Sequence, residues 1–328
     1  MVTKKVVPAE DTSQYPIVAL VGAVMGRKYI WRHAILVYFM WKFYEKSTTT
    51  LYICCAVSFY WRLFSCHAFG HRYFCHKSFE VGRVLEYIMA ITIASTDLCN
   101  MHYWCLMHEV HHLRCDEVED IHSPYHIGFW GAQFGNHPDA KGLFVRLCPY
   151  EKFIKIFSFK YKNNYAWMLP YNNLLLILGE SILLVIIGHY LQMELWFWVN
   201  FFPRMCVLNA MTLTNSAGHY FGTRPFVGNN RPPLGHCYAT NCWWAALLNG
   251  GEGWHNNHHA FAKSAKHGLL WWEIDWVWYG LCVLGNLGLI WNVQVVSDDA
   301  IQSLRYQSWQ GKGKLLERKY VTYFERKE

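Results

Sequence analysis

Four long apolar stretches constrain how this chain can fold. The first runs from Ile17 to Phe43 with basic interruptions, and the second runs from Leu51 to Phe69. The third covers Leu174 to Leu191, and the fourth covers Leu195 to Leu213. Because a helix needs about 20 apolar residues to cross the hydrocarbon of a bilayer, these stretches predict about four transmembrane helices in an all-α integral membrane protein.

The composition agrees with a membrane protein and argues against one that binds nucleic acid. Hydrophobic residues make up 53% of the chain and charged residues 16%, whereas an ordinary soluble domain carries about 25% charged residues. The 17 tryptophans suit the interface between lipid headgroups and acyl chains. The net charge of +7 comes from scattered basic residues rather than from one stripe. We therefore expect the lipid bilayer as a partner and no nucleic acid.

We expect one domain over residues 1–328, because no internal repeat or low-complexity linker interrupts the chain. Residues 1–15 form a polar N-terminal segment that does not resemble a signal peptide, and residues 297–328 form a charged cytosolic tail. The segment from Val84 to Ile93 is too short to cross and is predicted to be an interfacial or re-entrant helix. The segment from Trp276 to Trp291 stays ambiguous.

The 12 cysteines lack the spacing of a disulfide framework. No C-x-x-C occurs, and Cys54 and Cys55 lie in an apolar run. We therefore expect the cysteines to be reduced, small and apolar, in a protein that faces the cytosol.

Histidine is the residue type that indicates chemistry. Most of the 18 histidines fall in short clusters, and the segment H-x-x-H-H occurs at 108–112 and again at 255–259. On a helix, residues three and four apart share a face, so each segment aims its first histidine and at least one of the last pair in the same direction. Two membrane crossings between the middle clusters would return the chain to its starting side, so all clusters can meet on one face. The candidate ligands are His71, His76, His108, His111, His112, His219, His255, His258 and His259.

Nine clustered imidazoles favour a pair of redox-active metal ions over a structural zinc. Imidazole binds zinc, copper, iron and nickel, but a structural zinc takes about four ligands and has no redox chemistry. Two irons that activate O2 fit the number of histidines better. A lone histidine such as His219 is more often an ordinary residue, so the argument depends on the repeated H-x-x-H-H segments.

Other interpretations of the histidines remain open. His108, Glu109 and His112 match the H-E-x-x-H pattern of zinc proteases, with Glu109 as general base, but this pattern leaves the second H-x-x-H-H segment unexplained. A non-enzymatic membrane metal-binding protein would need fewer histidines. His67 lies four residues before His71, which is good helical spacing for a pair. His122 could hydrogen-bond to a metal ligand without binding the metal itself. The histidines interpreted as ordinary residues are His33, His67, His102, His122, His126, His137, His189, His236 and His267.

The residues around the last histidine cluster resemble those of a known family. Gly251 to Phe261 reads G-E-G-W-H-N-N-H-H-A-F, and Ser264 to Gly268 reads S-A-K-H-G. With Asp120 to Pro124 and Asn215 to His219, these motifs resemble the membrane fatty-acyl desaturases of the Δ9 acyl-CoA type, over most of the chain. The last histidine cluster and Asp120 to Pro124 look like the plant and cyanobacterial branch, whereas Val207 to Ala210, leading into Asn215 to His219, looks like the animal branch. The resemblance implies four spanning helices under a cytosolic helical cap that holds a di-iron site.

The same resemblance implies roles for individual residues. It makes the nine candidate histidines ligands of two Fe2+ ions, with Asn215 reaching one iron through a water and Trp104 lying beside the acyl chain. The sequence departs from the family at Glu109, Tyr103 and Thr212, where arginine, an acidic residue and tryptophan are usual. We expect Trp104 and Thr212 to contact substrate. The departures concern the acyl channel and the position of the double bond, and they leave the metal ligands intact.

The resemblance also implies a reaction. An oxygen-dependent desaturase removes two hydrogens from adjacent carbons of a long-chain fatty acyl-CoA or acyl lipid and leaves a cis double bond, here of the Δ9 type. An unactivated C–H bond requires metal chemistry, and two electrons must come from outside, from cytochrome b5 or from ferredoxin. We expect a multi-pass protein of the endoplasmic reticulum membrane whose active site faces the cytosol. A di-iron acyl hydroxylase or oxygenase with the same histidine boxes is the alternative.

Overall fold

The structure, a computed structural model, describes residues 32–94, 96, 101–117, 120, 122–134, 193–226, 237–309 and 320–326. Its helices are α1 (32–43), α2 (Thr49–Phe64), α3 (Arg83–Ala94), α4 (Met101–Arg114), α5 (Pro124–Ile127), α6 (Phe129–Phe134), α7 (Met193–Trp196), α8 (Phe202–Ser216), α9 (Trp243–Leu248), α10 (His255–Ala260), α11 (Trp276–Asn286) and α12 (Asp298–Trp309). Two π-helical stretches, Ser65–Cys75 and Phe197–Phe201, and 3₁₀ turns at Tyr44–Lys46 and Ala217–His219 continue neighbouring helices.

Two small antiparallel ribbons accompany the helices in the described part of the chain. β1 (Glu80–Val81) pairs with β2 (Ile290–Trp291), and β3 (Val293–Val296) pairs with β4 (Tyr320–Tyr323). The helical character of the expected all-α class is confirmed, but the ribbons were not predicted. Their strands of two and four residues are too short to stand out as an alternating pattern. β4 lies within residues 297–328, so part of the predicted tail packs against the body of the protein.

A long helix leads from the surface into the centre of the protein. α2 begins at Thr49, where the side chain of Thr48 accepts a hydrogen bond from the amide of Leu51 and caps the helix. Its π-helical continuation, Ser65–Cys75, is buried at every residue. Long π-helical stretches are rare, and π-helical turns frequently mark functional sites. This stretch carries the first candidate ligand, His71, into the interior.

The predicted second span, Leu51 to Phe69, is helical throughout, as part of α2 and the first residues of the π-helical stretch. α2 exposes Ile53 and Val57, but from Ser65 onward the side chains are enclosed by the protein. Among the described residues, none of the helices combines the length and the apolar character that a bilayer crossing needs. The predicted third span and residues 17–31 of the first lie outside the described residues.

The main hydrophobic core lies against the π-helical stretch Ser65–Cys75. It includes Met89 of α3, Val207 of α8 and Leu281 of α11. The predicted helix from Val84 to Ile93 is present as α3, and the predicted fourth span is helical as Phe197–Phe201 and α8. The core packs the π-helical stretch against α4, which brings the first two histidine clusters together.

Candidate metal centre

All nine candidate histidines lie in the described part of the chain, and they meet in the interior. The π-helical stretch contains His71 and ends just before His76. α4 carries the first H-x-x-H-H segment and α10 carries the second. His219 ends the 3₁₀ turn that continues α8. Four separate elements thus deliver side chains to one place.

The nine histidines divide into two groups, and within each group all candidate ligand atoms lie within 4.8 Å of one another. The five-histidine group comprises His71, His76, His108, His112 and His258. The four-histidine group comprises His111, His219, His255 and His259. The groups are adjacent, since the rings of His112 and His259 stack with their centroids 4.3 Å apart.

Helical periodicity explains this division. In H-x-x-H-H the first and last histidines are four residues apart and share one side of the helix, whereas the middle one is offset. In α4, His108 and His112 enter the five-histidine group and His111 enters the other. In α10 the arrangement is reversed, because the middle histidine, His258, joins the five-histidine group. Each segment therefore contributes to both groups and holds them side by side.

Within each group the Nε2 atoms approach closely. In the five-histidine group the Nε2 atoms of His76 and His108 lie 2.7 Å apart, and other neighbouring pairs are separated by up to 3.2 Å. In the four-histidine group the Nε2 atoms of His219 and His255 lie 3.0 Å apart. Two ligands at right angles around an ion about 2.1 Å from each of them are about 3 Å apart. The spacing therefore fits ligands arranged around a common metal ion.

A buried glutamate orients His71. The Nδ1 of His71 donates to Glu252 Oε2 at 2.6 Å, which leaves the Nε2 lone pair facing the five-histidine group. Glu252 also accepts from Arg72, a fully buried side chain that donates to Asp275 at 2.9 Å. Burial raises the pKa of the Glu252 carboxyl, but His267, His71 and Arg72 outweigh burial and hold that pKa well below its usual range. The carboxylate therefore stays charged and keeps His71 in one tautomer.

Two aspartates in the loop after α4 orient histidines of the four-histidine group. The Nδ1 of His111 donates to Asp120 Oδ2 at 2.8 Å. The Nδ1 of His219 donates to Asp116 Oδ2 at 2.9 Å. Burial raises the pKa of Asp120, but the charge and hydrogen bond of His111 hold that pKa well below its usual range. Metal-ligating imidazoles commonly donate their second nitrogen to a carboxylate in this way.

Burial keeps the other imidazoles neutral. The pKa values of His108, His112 and His258 lie well below the usual range, first because of burial and then because of repulsion from neighbouring imidazoles. A neutral imidazole is the form that binds a metal ion. Converging lone pairs on neutral rings repel one another unless a cation lies between them. The donor set therefore fits two metal ions, one for each group.

The asparagines inside the second H-x-x-H-H segment hold α10 in place. Asn256 donates to the carbonyl oxygens of Phe226 and Ala239. Asn257 donates to the buried carboxylate of Glu273 at 2.8 Å. Sequence reasoning assigned no role to these asparagines or to the three carboxylates that orient histidines. Their signal in the sequence was a position near a histidine segment and, for the asparagines, Glu252 and Asp120, a place inside the motifs that carry the family resemblance.

The predicted acyl-chain contact Trp104 lies beside the five-histidine group. It precedes His108 by one turn of α4, and its ring centroid is 6.3 Å from that of His71. The indole packs so closely on Gly70 that any side chain at that position would overlap it. The place of Trp104 next to the histidines is therefore clear, and its contact with substrate stays a prediction.

The other predicted contacts lie on α8. Thr212 accepts a hydrogen bond from Gln133 Nε2 of α6 at 3.0 Å. Asn215 is half-buried on the last turn of α8, four residues before His219. The proposed water-mediated role of Asn215 and the substrate contact of Thr212 stay predictions.

The histidines interpreted as ordinary residues belong to neither group where the structure describes them. His267 and His67 are buried near Glu252, with Nδ1 to carboxylate distances of 3.3 Å and 3.9 Å. His122 contributes its backbone amide to Asp120. The side chain of His102 and all of His137, His189 and His236 lie outside the described residues.

The protease pattern finds no support in this arrangement. Its two histidines, His108 and His112, do meet, but three further histidines share their space. A zinc protease site uses about three protein ligands and keeps an open position for water. The complete group therefore requires an explanation that the H-E-x-x-H pattern does not provide.

Cys115 and Cys237 are joined by a disulfide across 122 residues of chain. The expectation of reduced cysteines is wrong for this pair, whereas the other eight cysteines of the described residues are free. The pair forms because Cys115, at the end of α4, and Cys237 meet beside the four-histidine group. Cys237 Sγ lies 3.5 Å from Nδ1 of His259.

Known proteins of similar sequence are fatty acid desaturases. Over 228 residues the chain is 34% identical to the sn-1 stearoyl-lipid 9-desaturase of Anabaena variabilis, an alignment that covers 69% of this chain and 76% of the relative. Over 238 residues it is 32% identical to the acyl-CoA C20 Delta5-desaturase of Anemone leveillei, covering 71% and 72%. A chloroplastic palmitoyl-monogalactosyldiacylglycerol delta-7 desaturase of Arabidopsis thaliana is 32% identical over 238 residues, covering 73% and 60%.

A scan against models of protein families finds no match. The family is nevertheless clear from the curated relatives, because identity of 34% extends over more than two thirds of both chains in the alignment with the Anabaena variabilis relative. The two histidine groups fit the metal binding that such an oxidoreductase needs. The chain belongs to the fatty acid desaturases.

Proposed function

We propose that this chain is an oxygen-dependent desaturase that inserts a cis double bond, at the Δ9 position, into a long-chain acyl-CoA or acyl lipid. The observation that carries the proposal is the meeting of nine histidines in two adjacent groups. Two hydrogens leave neighbouring carbons of the acyl chain. O2 takes up these hydrogens together with two protons and two electrons, and two waters form.

Two iron ions suit this donor set best. The five-histidine group would hold one ion and the four-histidine group the other, with Asn215 linked to one of them through a water. When bound, iron supplies the oxidising power that breaks an unactivated C–H bond. Zinc lacks redox chemistry, so it could not activate O2 for this reaction. Metal analysis of protein from iron-rich medium tests this assignment, with about two irons per chain expected.

The protein's own contribution is to orient ligands and to exclude water. Glu252, Asp120 and Asp116 each accept a hydrogen bond from an Nδ1–H group and so aim an Nε2 lone pair at the metal position. The four-histidine group is buried throughout, which keeps bulk water from the reacting carbons and limits side reactions. Trp104 offers a flat apolar surface beside the five-histidine group, suited to the methylenes of an acyl chain.

The carrier of the acyl chain is part of the proposal. One relative carries the name of a stearoyl-lipid desaturase and another that of an acyl-CoA desaturase, so both carriers find support. Purified chain supplied separately with stearoyl-CoA and with a stearoyl glycerolipid would separate them, since only the true substrate gives a double bond. The relatives differ in the position of the double bond, so the Δ9 position requires product analysis by cleavage at the alkene.

Electrons must reach the site from another protein. We propose cytochrome b5, or ferredoxin in a plastid or bacterial setting, as the donor. The positive net charge of +7 favours encounter with an acidic partner. Reconstitution with each donor and its reductase tests the proposal, and turnover that depends on neither would contradict it.

We propose a multi-pass membrane protein whose histidines face the cytosol. Apolar side chains exposed on the outside of α1, α2 and α3 support contact with lipid; they include Val37, Trp41, Val57 and Val84. Tags near His137 and at the C-terminus should be open to protease from the cytosolic side, and tags near Ser47 or Met193 should be protected. Opposite accessibility of the first two tags would contradict a single site. Cell fractionation would show whether the protein lies in the endoplasmic reticulum, as proposed, or in plastids, since the name of one relative calls it chloroplastic.

The alternative within the same chemistry is hydroxylation. Desaturation lowers the mass of the acyl chain by about two units and hydroxylation raises it by about sixteen. Expression in a yeast that lacks its own desaturase, followed by fatty-acid profiling, distinguishes the two. Growth without added unsaturated fatty acid, together with the alkene product, is the result that we expect.

A further inference from the structure

The disulfide between Cys115 and Cys237 lies directly behind the four-histidine group. Cys115 follows α4 by one residue and is buried, whereas Cys237 is only partly buried. The Sγ of Cys237 lies 3.5 Å from Nδ1 of His259, on the side of the ring opposite to the proposed metal position. The pair therefore touches the outer face of a proposed ligand.

Cys237 occupies a position that carboxylates hold for other members of this group. His111 and His219 each donate Nδ1–H to a buried aspartate. For His259 the neighbour of Nδ1 is the sulfur of Cys237, and Nδ1 of His255 has no hydrogen-bond partner among the described residues. The orientation of His259 thus depends on where the disulfide holds this sulfur.

The other sulfur of the pair is linked to a second ligand. Cys115 Sγ lies 3.6 Å from Oδ2 of Asp116. The same oxygen accepts hydrogen bonds from Nδ1 of His219 at 2.9 Å and from the amide of Tyr238 at 2.7 Å. A disulfide sulfur has no proton, but a thiol at Cys115 can donate one to this oxygen. Reduction would therefore add a competing donor to the carboxylate that orients His219.

We propose that Cys115 and Cys237 form a redox modification site that controls metal retention by the four-histidine group, with a dithiol as its reducing substrate. The inference rests on the proposed metal site. The disulfide holds Cys237 against His259 and leaves Asp116 free to orient His219. Reduction releases the sulfur of Cys237 from its place beside His259. It also gives Cys115 a thiol proton that competes with His219 for the carboxylate of Asp116. Loss of outer partners lowers metal affinity by roughly 10- to 100-fold, which is the size of effect expected here.

The chemistry of the switch balances with a dithiol as co-reactant. One thiol of the reductant attacks Sγ of Cys237, the more exposed sulfur, and the S–S bond to Cys115 breaks. Cys115 takes up a proton and becomes a thiol. The second thiol of the reductant then attacks the mixed disulfide and releases Cys237 as a thiol. The protein gains two electrons and two protons, and the reductant leaves as a cyclic disulfide.

The test measures disulfide state and iron retention on the same full-length, iron-loaded protein. Peptide mass spectrometry without reductant should find Cys115 linked to Cys237. A water-soluble phosphine is the probe reductant, because it converts a disulfide and one water into two thiols and a phosphine oxide without adding competing thiols. After treatment, both cysteines should become alkylated, and iron transfer to a chelator should be roughly tenfold faster or more.

Two variants serve as controls. In Cys115→Ser/Cys237→Ser the phosphine should not change iron transfer. In Cys206→Ser/Cys282→Ser, which alters two free cysteines of α8 and α11, the response should remain. If the first variant does not fold, the comparison of iron transfer between reduced and oxidised wild-type protein still tests the proposal.

Three results would overturn the proposal: no linked peptide in the untreated protein, unchanged iron transfer after both thiols are verified, or an equal response in the Cys115→Ser/Cys237→Ser variant. A chain that holds no iron in either state would overturn the metal site itself and this inference with it. Iron held equally well in both states would overturn the switch alone.

Discussion

The two histidine groups are held in place by different means. In the five-histidine group, His71 depends on Glu252, which lies 181 residues away in sequence and is fixed in turn by the buried Arg72 and Asp275. In the four-histidine group, Asp116 and Asp120 come from the loop directly after α4. One group is oriented by a buried ion-pair network, and the other by a short local loop with a nearby disulfide.

This difference separates metal binding from folding stability. Removing one member of a buried ion pair leaves an uncompensated charge, which costs about 3–5 kcal/mol. Replacing an aspartate of the loop by asparagine keeps a hydrogen-bond acceptor for the other donors and disturbs mainly the histidine that it orients. Substitutions at the five-histidine group should therefore affect both stability and iron, and substitutions at the four-histidine loop should affect mainly iron.

The largest effect is expected when a ligand is removed from either group. His258→Ala should remove the iron of the five-histidine group, about one of the two in the chain, and lower desaturation by at least about 100-fold, because even outer partners cost 10- to 100-fold in affinity. His255→Ala should do the same to the four-histidine group. Iron content and alkene product measure both. His189→Ala, outside every histidine box, is the control and should retain most activity; equal loss there would contradict the ligand set.

Glu252→Gln should damage stability and iron binding together. The amide cannot balance the charge of Arg72, so the free energy of unfolding should fall by about 3 kcal/mol, since Asp275 remains as a partner. Iron affinity of the five-histidine group should fall roughly 10- to 100-fold. Denaturant unfolding and stepwise iron titration measure the two effects.

Glu273→Gln is the matched control for this change. Glu273 is also a buried carboxylate, but it accepts hydrogen bonds from Asn257 and from backbone amides rather than from a histidine. The control should lose stability and keep its iron affinity. If Glu252→Gln behaves in the same way as this control, Glu252 has a structural role only.

Asp120→Asn should weaken iron binding at the four-histidine group only. Asp120 accepts from Nδ1 of His111 and from two backbone amides, and asparagine keeps an acceptor of lower charge. We expect roughly tenfold weaker binding at the four-histidine group, with about 1 kcal/mol lost in stability. Glu117→Gln in the same loop, which alters an exposed ion pair with Arg114, should change neither. Loss of both irons from Asp120→Asn would mean that the two groups are not independent.

The smallest effect is expected at Thr212, away from the metal ligands. Thr212→Ala removes one of the two acceptors of Gln133 Nε2, the other being the carbonyl oxygen of Asn209, and should cost about 1 kcal/mol in stability. Iron content should stay at about two per chain, while the distribution of product chain lengths or double-bond positions changes. Thr322→Ala removes a similar hydrogen bond, from Gln294 on the β3–β4 ribbon, and should leave the products unchanged. An unchanged product distribution in Thr212→Ala would contradict the predicted contact between Thr212 and the substrate.

Some features of the site follow from local sequence. The H-x-x-H-H segments predicted histidines sharing a helix face, and α4 and α10 carry them in that way because helical periodicity is a property of neighbouring residues. The spacing also explains why the middle histidine serves the other group. The assignment of each segment to a group did not follow from spacing, since it depends on how the two helices face each other.

Other features appeared only in the folded chain. The pairing of His71 with Glu252 and of Cys115 with Cys237 joins residues separated by 181 and 122 positions. No periodic pattern encodes such contacts, because they depend on the packing of whole elements. The burial of Ser65–Cys75 has the same reason, since surrounding helices impose it rather than the composition of the segment.

The sequence by itself determined the family, the chemistry of the donor set and the helices that carry it, because motif and periodicity are local properties. Tertiary structure decided the division into five and four histidines, the carboxylates that orient them and the disulfide behind His259. A metal site is completed by atoms that converge from several elements. The geometry of that convergence is fixed by core packing and buried charge pairs.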